Sequence, residues 1–169
     1  SVVHALEPQP HPAVGDTVHC EVDAEKRRLH ARLHSAGHVV DMAVSSLNLP
    51  WKPVKGFHFP PGPYVEYAGP MEGLDPAKLK IDLESACAKL LSEGTATSVR
   101  RMPFEEARAA CQSMPPGVPA GETVRMVGWG NFASPCGGTH VTSLTEVGAV
   151  SIRKVKREGP NVRVGYAVA

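Results

Sequence analysis

Apolar and polar residues follow one another along this chain in two rhythms, one of period two and one near 3.6, and the switches between them mark out its elements. In DTVHCEVDAEKRR, residues 16–28, Val18, Cys20 and Val22 alternate with polar neighbours, which predicts a short half-buried strand. From Arg32 to Asn48 no proline occurs, and Leu33, Val40, Val44 and Leu47 recur at helical spacing until Pro50 ends the segment. GFHF and PYVEYAG, parted by PPG, carry Phe57, Phe59, Val65 and Tyr67 and predict a hairpin. Asp75 before Pro76 is an N-cap followed by a proline at the first helical position; Leu79, Leu83, Ala86, Cys87 and Leu90 then share a face, and Gly94 closes the helix. TATSVRRM reads as a strand, PFEEARAACQSM as a short helix with acids in its first turn, and ETVRMVGWG as another strand. GAVSIRKVK and VRVGYAVA flank REGPN, whose Gly-Pro-Asn content predicts a terminal hairpin. The fold class that follows is α+β, a largely antiparallel sheet packed by two or three helices, with a short N-terminal β segment.

The 169 residues suit one compact unit with a substantial core. Lys plus Arg number 18 against 17 for Asp plus Glu, so no strong overall field announces a nucleic acid or a membrane, and any polyanion site must be a local patch. No apolar run approaches the roughly 18 to 20 residues of a membrane span, and SVVHALEPQPHP lacks the basic start and apolar core of a signal peptide. Cysteines at 20, 87, 111 and 136 show no secreted disulfide spacing, which points to a reducing, cytoplasmic setting and to no disulfide-linked partner. Cys20, Cys87 and Cys111 fall in strand or helix patterns and read as small core residues.

Two pairs of metal-ligand residues stand almost a hundred positions apart, in HSAGH and in SPCGGTHV. On a helix, residues four apart differ by about 40° around the axis, so His34 and His38 project from one stripe, with Asp41 on it too. Pro135 and the Gly137-Gly138 step disfavour a helix in the second stretch, and the glycines let the backbone turn until Cys136 and His140 converge. A thiolate with three imidazoles suits tetrahedral zinc better than oxygen-loving magnesium or calcium. His34 is followed by Ser35, so the helix lacks the glutamate of an H-E-x-x-H protease. A Cys136 nucleophile with His140 as its base is the competing chemistry.

HSAGH, SPCGGTHV, the following TEVGAVSIRKVKREGPNVRVGY and the intervening PYVEYAG and EEAR resemble the alanyl-tRNA editing domain and its stand-alone AlaX-type relatives, from Asp16 onward. The resemblance implies that His34, His38, Cys136 and His140 are zinc ligands, that residues 1–29 are the end of a small β-barrel, and that residues 30–169 are a zinc-containing tRNA editing domain. It further implies hydrolysis of serine or glycine esters of alanine tRNA, engaged at the acceptor end. A non-catalytic zinc-stabilised RNA-binding module and editing of serine-charged threonine tRNA are the alternatives. Four protein ligands would fill a tetrahedron, whereas a catalytic zinc keeps a position open, so direct catalysis and a shape-holding ion both stay open.

Around the pairs, Thr139 and the amides near Gly137 and Gly138 are candidate donors to an oxyanion or a ribose. Thr139, Ser35 and the zinc-bound environment itself are candidate partners for a serine hydroxyl. Glu66, a polar residue in an apolar strand, is a candidate to orient water, and His58 shares that ambiguity with plain surface placement. Arg100, Arg101, Arg153, Lys154, Lys156 and Arg157 are candidates for tRNA phosphates. Aromatics at 5% of residues leave little material for an extended base-stacking platform.

Overall fold

The longest helix begins where the hydrophobic pattern gives no sign of it. In the computed structural model, which describes residues 11–111, 113, 114, 118 and 120–169, α1 spans Ala24–Ser46, and its start is set by Asp23, whose carboxylate accepts from the Lys26 amide at 2.9 Å. Residues 24–29 are exposed on every side, so they carry no apolar period. From Ser35 to Val40 the helix is buried all round. It ends at Leu47, and Asn48 takes the left-handed conformation, φ 52°, that lets the chain turn away.

The remaining elements are β1 (Lys52–Phe57), β2 (Tyr64–Ala68), α2 (Pro76–Ser92), β3 (Ser98–Pro103), α3 (Phe104–Ala110), β4 (Thr123–Trp129), β5 (Phe132–Pro135), β6 (Val150–Glu158) and β7 (Asn161–Val168). A single 3-10 turn, Leu144–Val147, precedes β6. One sheet runs β1-β2-β7-β6 and the other β3-β4-β5, every pair antiparallel. The fold is α+β, as the alternation of periods predicts. α1 and α2 cover one face of the four-stranded sheet, burying Val65, Tyr67, Ile152, Val162, Val164 and Tyr166. β4 serves two cores, since Val127 and Trp129 face α1 while Val124 and Met126 face Ala107 of α3.

The N-terminal stretch departs from expectation. Residues 16–22 form no strand, Val18 and Val22 are 55% and 58% exposed, and Cys20 is exposed instead of in a core. Alternation supplies a strand with one apolar face, but among the described residues no sheet edge lies beside it. A division at residue 29 falls inside α1, and residues 1–10 lie outside the described residues. α3 stops at Ala110, short of the predicted helix end at Met114. β5 and the 3-10 turn are too short for either period to reveal. Among the described residues no helix is long and apolar enough to cross a membrane.

α2 carries the start signal read from the sequence, with the Asp75 carboxylate accepting from the Ala77 amide at 2.9 Å ahead of Pro76. Asp75→Ala should therefore lower unfolding stability by about 1 kcal/mol, read as a lower urea midpoint with an unchanged slope.

Candidate functional site

His34 and His38 leave α1 one turn apart with their rings stacked, centroids 5.4 Å from each other. β5 delivers the chain into the Cys-Gly-Gly-Thr-His loop directly opposite. The Cys136 Sγ lies 3.3 Å from Nε2 of His34 and 3.3 Å from Nε2 of His140. The ligand atoms of His34, His38, Cys136 and His140 all fall within 4.8 Å of one another. A tetrahedron with metal–nitrogen and metal–sulfur bonds of about 2.1 and 2.3 Å has an edge near 3.5 Å, so these spacings suit one ion. His38 supplies an independent sign: both its ring nitrogens are buried without a hydrogen bond. A buried polar atom left unpaired costs about 1 to 3 kcal/mol. This group can hold a metal ion.

The cluster shifts its own protonation. Burial pushes the Cys136 thiol up, but hydrogen bonding with His140 and His34, with the His38 ring close by, outweighs it and holds the thiol down at about 3. Burial also opposes a charge on His38, yet Asp41 and Cys136 overcome it and raise that imidazole to about 9. Burial, with His34 and His38 adding repulsion, lowers His58 to about 3, so His58 is neutral.

Neighbouring groups hold the cluster in place. Asp41 Oδ2 stands 3.3 Å from His38 Nδ1, too far off line for a hydrogen bond, while Asp41 Oδ1 accepts from the Tyr67 hydroxyl at 2.7 Å. Ser35 Oγ accepts from the Val141 amide at 3.2 Å and meets Nδ1 of His140 at 3.2 Å. With Nδ1 of His140 donating to Ser35, the lone pair of Nε2 is left for a metal. Arg125, on the same face of β4 as Val127 and Trp129, donates to the carbonyls of Cys136 and Gly138 at 2.5 and 3.1 Å and clamps the loop. Two glycines are there for imidazoles. A Cβ at Gly138 would stand 2.2 Å from the His34 ring, and one at Gly37 would stand 2.4 Å from the His58 ring.

Beside the cluster is a pocket of about 240 Å³, lined by His34, His38 and Cys136, by Pro53 to Gly56 of β1, by His58 and Val65, and by Ser113, Ser134 and Pro135. A bulge at Val54, where the register steps from Pro53 to Lys55, turns successive β1 residues toward it. His58 stacks on His34 at 4.6 Å, and its Nδ1 lies 2.7 Å from the Tyr166 hydroxyl. That hydroxyl spends its one hydrogen on the Leu33 carbonyl at 2.9 Å. His58 Nδ1 is therefore the donor, and Nε2 keeps a lone pair. A larger cleft of about 460 Å³ lies on the far side of Trp129, lined by Met42, Leu90 and Phe132 among others, with Glu93 its only charged wall among the described residues.

The structure gathers some predicted residues and separates others. Ser35 is buried and committed to holding His140 and Val141. Thr139 and Gly137 are exposed and line no part of the pocket, while Gly138 packs against His34. Glu66 faces away from the cluster, on the outer side of the sheet, where Arg163 donates to it at 2.9 and 2.6 Å. Its isolation in an apolar strand marks an ion pair across strands. Arg153, Lys154 and Lys156 line one notch, Arg157 pairs with Glu72, and Arg100 and Arg101 belong to the other sheet. Arg125 escapes the sequence because nothing there tells which strand backs the loop. Gly37 did leave a trace, as a glycine inside a strong helix pattern.

Residues 124–163, running from β4 through the Cys-Gly-Gly-Thr-His loop into β7, match the threonyl and alanyl tRNA synthetase second additional domain. The match takes in the loop with Cys136 and His140 but not His34 and His38. The alanine-tRNA ligase of Methanothrix thermoacetophila is 30% identical over 98% of this chain and 18% of its own length. Those of Halobacterium salinarum and Streptomyces avermitilis are 25% and 28% identical over 86% and 89% of this chain, and over 16% and 17% of their own lengths. These matches support kinship with the alanyl-tRNA synthetase editing domain, and the chain spans less than a fifth of the length of the relatives it matches.

Ser35→Ala should weaken metal binding by about 10- to 100-fold with the fold retained, measured by competition with a chromogenic chelator; unchanged affinity would mean that Ser35 does not orient His140. In metal-free protein, alkylation of Cys136 should stay nearly level between about pH 5 and pH 8, because its thiolate is already formed, whereas an ordinary thiol slows about tenfold per unit below its pKa. Peptide mapping should show Cys87, buried and pushed up to about 12, unmodified throughout.

Proposed function

We propose that this chain hydrolyses the ester of alanine tRNA mischarged with serine or glycine, at a zinc ion held by His34, His38, Cys136 and His140. The observation behind this reading is the convergence of three imidazoles and one thiolate beside a small pocket in a chain with this kinship. The donor set favours zinc over magnesium or calcium. When bound, zinc supplies Lewis-acid polarisation and orientation of the ester.

The remaining work falls to the chain. A pocket of about 240 Å³ admits an aminoacyl ester but no duplex, so the substrate enters as an unpaired end. Neutral His58, anchored through Tyr166 to the Leu33 carbonyl, offers the Nε2 lone pair to a hydroxyl. Alanine is smaller than serine, so size cannot spare the correct product. Discrimination rests on a polar group that the serine hydroxyl satisfies and alanine leaves bare, a difference of about 1 to 3 kcal/mol. His58 and Ser134 line the pocket and can take that part, whereas Ser35 is already engaged and Thr139 lies outside.

Purified zinc-loaded protein should release serine from alanine tRNA about tenfold or more faster than alanine, and faster than serine from threonine tRNA. Chelation should abolish the release and zinc restore it. Equal rates for alanine and serine, or no release, would overturn the reading. Release that survives chelation but not alkylation would move the chemistry to a Cys136 nucleophile.

A further inference from the structure

The outer face of the four-stranded sheet, away from α1 and α2, collects rings and cations. Register places Phe57, Tyr64, Gly165 and Lys154 in one row across β1, β2, β7 and β6. The rings of Phe57 and Tyr64 lie face to face, 5.6 Å and 22° apart, and Phe57 is 39% exposed. Arg163, in the next row, sets its guanidinium 4.2 Å from the centroid of Tyr64. The missing side chain of Gly165 leaves a notch of about 400 Å³ between Tyr64 and Arg153, Lys154, Lys156 and Arg163.

Arg153 is the extra residue of a β6 bulge, since Ile152 pairs with Tyr166 and Lys154 already with Gly165. Its guanidinium hangs beside Gly62 and Gly165, donating to the carbonyls of Pro61 and Pro63 at 3.2 Å each. Two carboxylates, Glu66 and Glu158, touch the four cations of the notch, which is left positive.

We propose that this face receives the unpaired 3′ strand of the tRNA, one base stacking on Phe57, which Tyr64 backs, and a backbone phosphate entering the notch against Arg153 and Lys154. The inference rests on the tRNA reading above and adds the surface that guides the strand. Cations tracking a backbone beside aromatic rings that take bases are what single-strand binding requires, and paired bases would keep their faces from the rings. Phe57 and Tyr64 share this face, while Trp51, Tyr67, Trp129 and Tyr166 are buried in the core. Position also argues for it. Along Phe57, His58 and Phe59 the side chains alternate: the Phe57 ring meets Tyr64, while the His58 ring stacks on His34 of the cluster. A strand crossing the β1 edge there passes from platform to pocket.

The test uses the full chain and a fluorescent RNA octanucleotide ending in CCA, with a blunt RNA duplex as control. Phe57→Leu with Tyr64→Leu should weaken octanucleotide binding about fivefold or more and leave duplex binding as it was. Arg153→Ala with Lys154→Ala, both surface changes, should weaken it too and flatten its salt dependence. Melting curves would show that each variant folds. Octanucleotide binding unchanged in both folded variants would overturn the proposal, as would a wild-type dimer that the Phe57→Leu, Tyr64→Leu variant dissociates, because a second copy would then own the face. The binding readout needs no ester. A protein that holds the octanucleotide through these residues but releases no serine supports this surface and overturns the editing reading; one that edits, with both variants binding and editing as wild type, overturns this surface alone.

Discussion

Three imidazoles and a thiol share one small volume at the end of an apolar core, with donor atoms inside 4.8 Å, and the surrounding elements are arranged by the need to keep them there. Such crowding opposes folding unless each group finds a partner. Asp41 and Tyr67 back the His38 side, Ser35 and the Val141 amide back His140, and Arg125 ties down the loop that carries Cys136. These partners come from α1, β2, β4 and the loop, so the geometry of the cluster and the tertiary structure stabilise each other, and an ion bound there would add its binding free energy to that of folding.

The four-stranded sheet works on both faces. Its inner side packs Val162, Val164 and Tyr166 against the helices, and through Tyr166 it fixes the ring of His58. Its outer side packs against no core among the described residues, and Tyr64, Arg163 and Lys156 line a notch there. Bulges at Val54 and Arg153 lie in the two edge strands, where an extra residue turns a side chain without breaking the central pairing of β2 with β7.

What could be read in the sequence was whatever repeats or pairs locally. α2 announced itself by Asp75, Pro76 and a clean apolar face, and the two His and Cys pairs that converge announced themselves by their spacing. The first turns of α1 were hidden because a fully solvated helix has no apolar period, and the Val18 to Val22 alternation misled because a strand also needs a neighbour. Glu66 drew notice as a polar residue among apolar ones, but its partner Arg163 is almost a hundred residues away and only the register of β2 on β7 joins them. Arg125 and the aromatic row belong to the same category. Long-range pairing decides them, and no local pattern encodes it.

Gly37 sits between His34 and His38 in the interior of α1, where glycine is worse than alanine by about 1 kcal/mol as a helix former. The helix tolerates it because the His58 ring occupies the space a methyl group would need. An engineer seeking a sturdier protein by raising helix propensity would choose this position early, and the substitution would evict the imidazole it was never meant to touch. Heat resistance and chemistry compete here for one gap the size of a methyl group, so a hardier version of this domain has to gain its stability elsewhere, at caps, loops and solvated turns.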